Sequence, residues 1–427
     1  MKAFAQMDRE ELRALKTRLE KEFEQEKAKG LSLNMARGKP GASQLAISMP
    51  MLDMINSGSD MNTLLGNDTR NYGDWDGIGE CRQLLADMME VDKPNVIVCG
   101  NSSLNIMYDT VMRSMLMGVN GSTPWCKLDK VKFLCPVPGY DRHFRITELM
   151  GIEMIPVPLG EDGPDMDMVE RYVNEDAAVK GIWCVPKYSN PTGITYSDEV
   201  VYRFAHLQPK ADDFRIFWDN AYCIHHLFEG IEDKIPNILK ECEKAGNPNM
   251  VYMFASTSKI SFPGSGVSAI ATSLENMAYI KKFMTTQIIG HDKINQLRHV
   301  RFFKNIDGLN AHMKKHAELL RPKFEAVLNI LESELTGLGI GSWTRPRGGY
   351  FISFDAMPGC AKNIVAKCRE LGVVLTEAGA TYPYGKDPAD SNIRIAPTFP
   401  TPEEMVQATR IFVLCVKLAA IEKLEER

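Results

Sequence analysis

The 427-residue chain carries ten cysteines, and no two of them form a CxxC pair. That spacing disfavours a zinc site, and nothing in the chain reads as a disulfide framework. Cys99 in VIVCG and Cys184 in GIWCVP lie inside apolar runs, where cysteine behaves as a small hydrophobe. Reduced thiols and a cytoplasmic setting are therefore expected. The first residues contain no apolar signal core, and no run approaches the roughly 18 apolar residues of a membrane span. A formal charge of −5 offers no positive footprint for nucleic acid or an anionic membrane. No internal repeat or low-complexity tract is present, which sets solenoids aside. No GxGxxG follows the first strand-like run, which disfavours a Rossmann dehydrogenase.

What is present is ordinary globular material, 44% hydrophobic and 25% charged, long enough for about two or three domains. The opening stretch places Leu12, Leu15, Leu19 and Phe23 on one helical face, with Asp8 and Glu11 as a start signal and Gly30 as a stop. From about residue 95 the texture changes to short, unalternating apolar runs: NVIVCG, KVKFLCP, IEMIPVP, GIWCVP, FRIFWDN, MVYMFAST and VSAIAT. Such runs, separated by helix-length segments, predict a mostly parallel seven-stranded sheet covered by helices on both faces. The last two runs are too close for a crossover helix, so one of them is expected to be antiparallel. GGYFISFD and SNIRIAP read as later strands, and Thr401 with Pro402 as the start of a final helix. The expectation is an α/β protein. Residues 51–300 would form its large domain, and residues 1–50 and 301–427 a smaller α/β domain built from both chain ends.

Open parallel sheets bind ligands beyond the carboxyl ends of their strands. Five successive runs end in chemically distinct groups: Asn101-Ser102-Ser103, Tyr140, Asn190-Pro-Thr-Gly, Asp219-x-x-Tyr222 and Ser256-x-Ser258-Lys259. A lysine whose pKa is lowered can form a Schiff base with an aldehyde, and pyridoxal phosphate (PLP) is the common aldehyde cofactor. Its ring nitrogen stays protonated only beside a carboxylate, for which Asp219 is the candidate; an aspartate there could instead cap the next helix. Tyr222 and Asn190 could hydrogen-bond the cofactor's phenolic oxygen, and Tyr140 could stack on its ring. The helix starting at Asn101-Ser102-Ser103, with Ser256 and Ser258, offers donors to a phosphate; the plainer reading of those small residues is capping. Arg394, between Ile393 and Ile395, suits planar recognition of an amino-acid carboxylate.

The ordered set Tyr72, Asn101-Ser102-Ser103, Tyr140, Asn190-Pro-Thr-Gly, Asp219-x-x-Tyr222, Ser256-x-Ser258-Lys259 and Arg394 resembles a class I aminotransferase of the PLP type I fold, over about residues 34 to 400. ARGKPG at 36–41 and STSKISFPGSGV resemble the aspartate aminotransferase-like subgroup Ic. The resemblance implies that Lys259 holds the cofactor covalently and then shuttles a proton between the substrate Cα and the cofactor's C4′ carbon. It implies that Gly38 closes over the substrate, and that Tyr72 reaches the phosphate across a homodimer interface. It implies transfer of an amino group from an L-amino acid, aspartate being the first choice, to a 2-oxo acid such as 2-oxoglutarate. A PLP-dependent C–S β-lyase would use the same residues. A non-catalytic PLP-binding regulator is opposed by the absence of a basic, DNA-binding segment. One departure stands out: most members carry a phosphate-pairing arginine seven or eight residues after the lysine, where this chain has Gly266 and Val267. Arg37 or Lys39 is expected to compensate or to read substrate, and Lys293 and Arg298 are further candidates for a distal carboxylate.

Overall fold

The computed structural model describes residues 2–426 and turns each apolar run into a strand. In chain order the strands are β1 (Leu33–Asn34), β2 (Val96–Cys99), β3 (Lys132–Val137), β4 (Glu153–Pro158), β5 (Val179–Cys184), β6 (Arg215–Asp219), β7 (Val251–Ser256), β8 (Ser268–Ala271), β9 (Gly341–Trp343), β10 (Ile352–Ala356), β11 (Val373–Val374) and β12 (Asn392–Ile395). Seven of them form one sheet in the order β2-β8-β7-β6-β5-β3-β4. The β3, β4, β5, β6 and β7 pairings are parallel, while β8 runs antiparallel to both β7 and β2. The short interval before β8 leaves no room for the helix that a parallel crossover needs.

Unalternating strands are the consequence of burial on both faces. Within β6, Phe217 packs with Phe133, Trp183 and Phe254 on one side, and Ile216 and Trp218 pack with Val200 and Met253 on the other. The chain ends share a separate core. Leu12, Leu19 and Phe23 of the helix Arg9–Lys27 pack with Leu331, Ile364 and Phe412. β1 pairs in parallel with β11, and β12-β10-β9 form an antiparallel sheet. The helix Ile306–Leu335 passes between the two cores, giving Leu309 and Met313 to one and Leu320, Phe324 and Leu331 to the other. Full burial of each such side chain contributes about 1.5–3 kcal/mol.

The local signals act as the sequence suggests. Asp8 and Glu11 form a reciprocal capping box, as do Thr401 and Glu404 with Pro402 in the first turn. Among the described residues no helix is long and apolar enough to cross a membrane. Nor does any group of three or more His, Cys, Asp or Glu among them suit a metal ion.

Candidate active site

The ends of β2, β3, β5, β6 and β7 converge as parallel-sheet geometry requires, and the turn after β7 carries Lys259. Thr257 fixes that turn. Its N–H reaches Val267 O at 2.8 Å, and its Oγ1 accepts from Val267 N at 3.0 Å and from Ser261 Oγ at 2.9 Å. His299 Nε2 lies 2.8 Å from Ser261 Oγ. The carbonyl of Lys259 accepts from Tyr350 OH at 3.2 Å, and Tyr350 OH accepts from Gln44 Nε2 at 3.0 Å. The backbone is thus gripped while the side chain is left to reach inward. Lys259 Nζ lies 4.9 Å from the Tyr222 ring centre and 5.9 Å from that of Tyr350. Burial lowers its pKa below the ordinary 10.5, with Asp219 pulling the other way.

Asp219 ends β6 and is buried. Its Oδ2 lies 2.9 Å from His143 Nε2, and its Oδ1 has no partner among the described residues. The His143 ring stacks on Trp183, centres 4.5 Å apart and 10° from parallel, and meets Tyr140 edge-on at 4.9 Å. Buried carboxylate oxygens without a donor are rare, so Asp219 Oδ1 marks a place for one. Burial, reinforced by Asp219, pushes Tyr140 up to about 12; burial also raises Tyr222. Both phenols stay protonated and able to donate.

Arg394 on β12 faces this cluster from the chain-end sheet. Its Nη1 donates to Asp141 Oδ1 at 2.8 Å and Asn190 Oδ1 at 3.3 Å, and its Nη2 to Thr376 Oγ1 at 3.2 Å. The guanidinium carbon lies 4.9 Å from the centre of the Phe351 ring. Gly38 sits against the same ring: a Cβ there would come within 2.3 Å of Phe351 Cζ. Any larger residue at 38 would shift the plate on which Arg394 rests.

At the other end, Ser256 Oγ donates to Ser258 Oγ at 3.1 Å, and Ser258 Oγ donates to the carbonyl of Asn101 at 3.2 Å. Ser102 is the N-cap of the helix Ser103–Met117 but makes no side-chain capping bond. Ser102 therefore does not act as a side-chain cap, and the first N–H groups of this helix are left to suit an anion. Gly266 leaves little room for the usual arginine here. A Cβ would lie 2.9 Å from Thr257 Oγ1, the atom that closes the lysine turn, and Val267 is buried in the core. The cation attached to this loop is Arg298, whose Nη2 donates to Ser265 Oγ at 2.6 Å.

Several expected residues stand apart. Arg37 and Lys39 are exposed, and Lys39 Nζ lies 4.0 Å from the ring centre of Phe399. Neither touches the serine cradle among the described residues. Lys293 Nζ donates to the carbonyls of Asn71 at 2.5 Å and Gly73 at 2.8 Å, so it shapes the loop carrying Tyr72. Tyr72 itself is 80% exposed. A cavity of about 860 Å³, lined by Trp218, Asn220, Cys223, Phe228 and Met313 among others, lies behind the Asp219–Tyr222 turn and does not include Lys259.

Sequence reasoning missed His143, Asp141, Tyr350 and Gln44. The one usable signal was the spacing Tyr140-x-x-His143 at a helix start, which puts both rings on one face. Taken together, Lys259 with its amine beside the Tyr222 ring, Asp219 with a buried oxygen that has no partner among the described residues, a serine-lined helix terminus and the Tyr140 ring beside His143 fit pyridoxal phosphate.

The family model described as aspartate amino-transferase matches residues 7–427. An aspartate aminotransferase of Corynebacterium glutamicum is 45% identical over 405 residues, covering 95% of this chain and 93% of that protein. The crystal structure of an aspartate transaminase from the same organism superposes with a TM-score of 0.96 at 44% identity, covering 99% of both chains. An aspartate aminotransferase of Thermus thermophilus, with maleate, shares the fold at a TM-score of 0.65 and 16% identity, covering 94% of this chain and 96% of that one. The chain is an enzyme of the aspartate aminotransferase family.

Proposed function

We propose that this aminotransferase moves the amino group of L-aspartate to 2-oxoglutarate, with pyridoxal phosphate as its cofactor. When bound, that cofactor supplies an aldehyde that takes up an amine and a ring that accepts the electron pair released at Cα. The chain's own residues do the rest. Lys259 would hold the cofactor through Nζ, and its neutral amine would take the substrate's Cα proton on that same nitrogen. A lowered pKa keeps a larger neutral fraction of the amine available for both tasks. Asp219 holds the ring-nitrogen proton, and His143 keeps its carboxylate turned. Tyr222 and Asn190 donate to the phenolic oxygen, and Tyr140 covers one face and excludes water. Ser102, Ser103, Ser256 and Ser258 bind the phosphate with Asn101, and Arg394 binds the α-carboxylate.

The observation that carries this reading is the pairing of Lys259 Nζ, close to the Tyr222 ring, with the partnerless buried Oδ1 of Asp219. The donor choice rests on the relative's printed name. We further infer a homodimer with shared sites, Tyr72 reaching the partner's phosphate, and Arg37, Gly38 and Lys39 closing over the substrate. Residues 51–300 would act as the cofactor-binding body and residues 1–50 and 301–427 as the smaller one. A cytoplasmic location suits ten unpaired cysteines.

The test is to load the purified chain with the cofactor, trap the adduct by reduction and map it by mass spectrometry, then assay aspartate with 2-oxoglutarate. The adduct is expected on Lys259 alone, and Lys259→Arg should fold yet show no turnover. An adduct elsewhere, or near-normal activity in the variant, refutes the assignment. Failure of both aspartate and glutamate to react removes the dicarboxylate specificity. Release of pyruvate from a cysteine conjugate without any oxo acid identifies a β-lyase.

A further inference from the structure

Arg394 already has a carboxylate on it, and that carboxylate belongs to the protein. Nη1 donates to Asp141 Oδ1 at 2.8 Å and to Asn190 Oδ1 at 3.3 Å. A guanidinium Nη carries two hydrogens, so Nη1 has none left for a ligand. Nη2 gives one of its two to Thr376 Oγ1 at 3.2 Å. Nε is buried and has no acceptor among the described residues. End-on recognition of a carboxylate uses the pair Nη1 and Nη2. Half of that pair is held by Asp141.

We propose that Asp141 sets substrate affinity as an internal carboxylate on Arg394, with which the α-carboxylate of the substrate exchanges. The inference rests on the reading of Arg394 as the substrate-carboxylate cation. The placement of Asp141 suits a leaving partner better than a fixed strut. It is the first residue of the helix Asp141–Leu149, and its side chain is 28% exposed against 8% for Arg394. Displaced, its carboxylate keeps two favourable surroundings, solvent and the positive end of its own helix. In place, it neutralises a guanidinium that would otherwise be buried without a counter-charge. The exchange weakens every α-carboxylate ligand by the same factor, whatever its side chain, so it appears in KM and in ligand dissociation constants.

A strut that merely orients Arg394 predicts the opposite sign, which makes the inference testable. In the cofactor-loaded enzyme, dissociation constants for propionate and succinate and KM values for aspartate and 2-oxoglutarate would be measured for wild type, Asp141→Asn, Asp141→Ala and Asp141→Glu. Asp141→Asn and Asp141→Ala are expected to tighten all four by about fivefold, the order of an ion pair with one partly exposed partner. Asp141→Glu, which restores a carboxylate, is expected to return them towards wild type. Weaker or unchanged binding in both truncations overturns the proposal in favour of a strut. So does a loss confined to kcat, which marks a structural role. Arg394→Lys separates the levels: if it leaves propionate binding intact, Arg394 is not the carboxylate seat and the exchange falls with it, while transamination by the wild type still stands or falls on its own assay.

Discussion

At the scale of single residues, chemistry was easier to read than support. Lys259, Asp219, Tyr222 and Asn190 announce themselves because each follows an apolar strand, where a polar group is conspicuous. His143 does not, because a histidine on an amphipathic helix looks like any other surface or core residue until the fold brings it to Asp219. Its contribution is nevertheless calculable. His143 Nε2 at 2.9 Å is the one hydrogen-bonding partner of the Asp219 carboxylate among the described residues, and Trp183 fixes the imidazole plane. Hydrogen bonds to charged groups contribute about 1.5–3 kcal/mol, so His143→Phe should weaken cofactor retention and kcat/KM by about tenfold to a hundredfold. His143→Gln, which can still donate, should recover part of the loss. Equilibrium titration with the cofactor alongside steady-state kinetics measures both. Unchanged retention in His143→Phe would show that Asp219 needs no second carboxylate anchor. Gly266 teaches the converse lesson: an absent arginine was visible in the sequence, but the crowding by Thr257 Oγ1 that disfavours a side chain there was not.

At the scale of elements, the periodicities gave strands, caps and the antiparallel β8 because burial on two faces and short connections leave few alternatives. The polar network beneath the lysine turn was invisible, since its members come from three distant segments. Ser48 of the helix Ala42–Ser48 and His312 and His316 of the helix Ile306–Leu335 meet below the Ile260 carbonyl, which lies 2.9 Å from His312 Nε2. His299 of the helix Lys293–Phe303 braces Ser261 from the side. Burial pushes His299 and His316 from 6.5 down to about 4, so the folded protein keeps both neutral where the unfolded chain protonates them. Between pH 6.5 and 4 the unfolded state binds more protons, and stability must fall as pH falls. Each histidine steepens that fall by at most about 1.4 kcal/mol per pH unit. Denaturant midpoints at pH 7, 6 and 5 should decline progressively. His299→Gln and His316→Gln should flatten the decline even if they lower stability at pH 7. A wild-type midpoint constant from pH 7 to 5 would show that neither ring is held neutral.

At the scale of the whole molecule, the placement of Tyr72 bears on how two chains would share a site. Tyr72 is 80% exposed, and nearby Leu64 and Leu65 are 89% and 83% exposed. Yet the loop is not loose: the buried Lys293 ammonium holds it through the carbonyls of Asn71 and Gly73. A backbone fixed from beneath while its apolar and aromatic side chains face outward is what a partner-facing surface requires. If Tyr72 completes the neighbour's site in a two-fold dimer, two differently damaged chains can repair each other. A Lys259→Arg chain still carries Tyr72, and a Tyr72→Ala chain still carries Lys259. In their hybrid, one site receives both intact residues and the other receives neither. Unfolding and refolding an equimolar mixture should therefore raise activity well above the average of the parents, towards about a quarter of wild type for random pairing. Sedimentation at the assay concentration must show dimers for the comparison to hold. No gain on mixing, with dimers present, would confine each active site to one chain and leave Tyr72 as an interface residue alone.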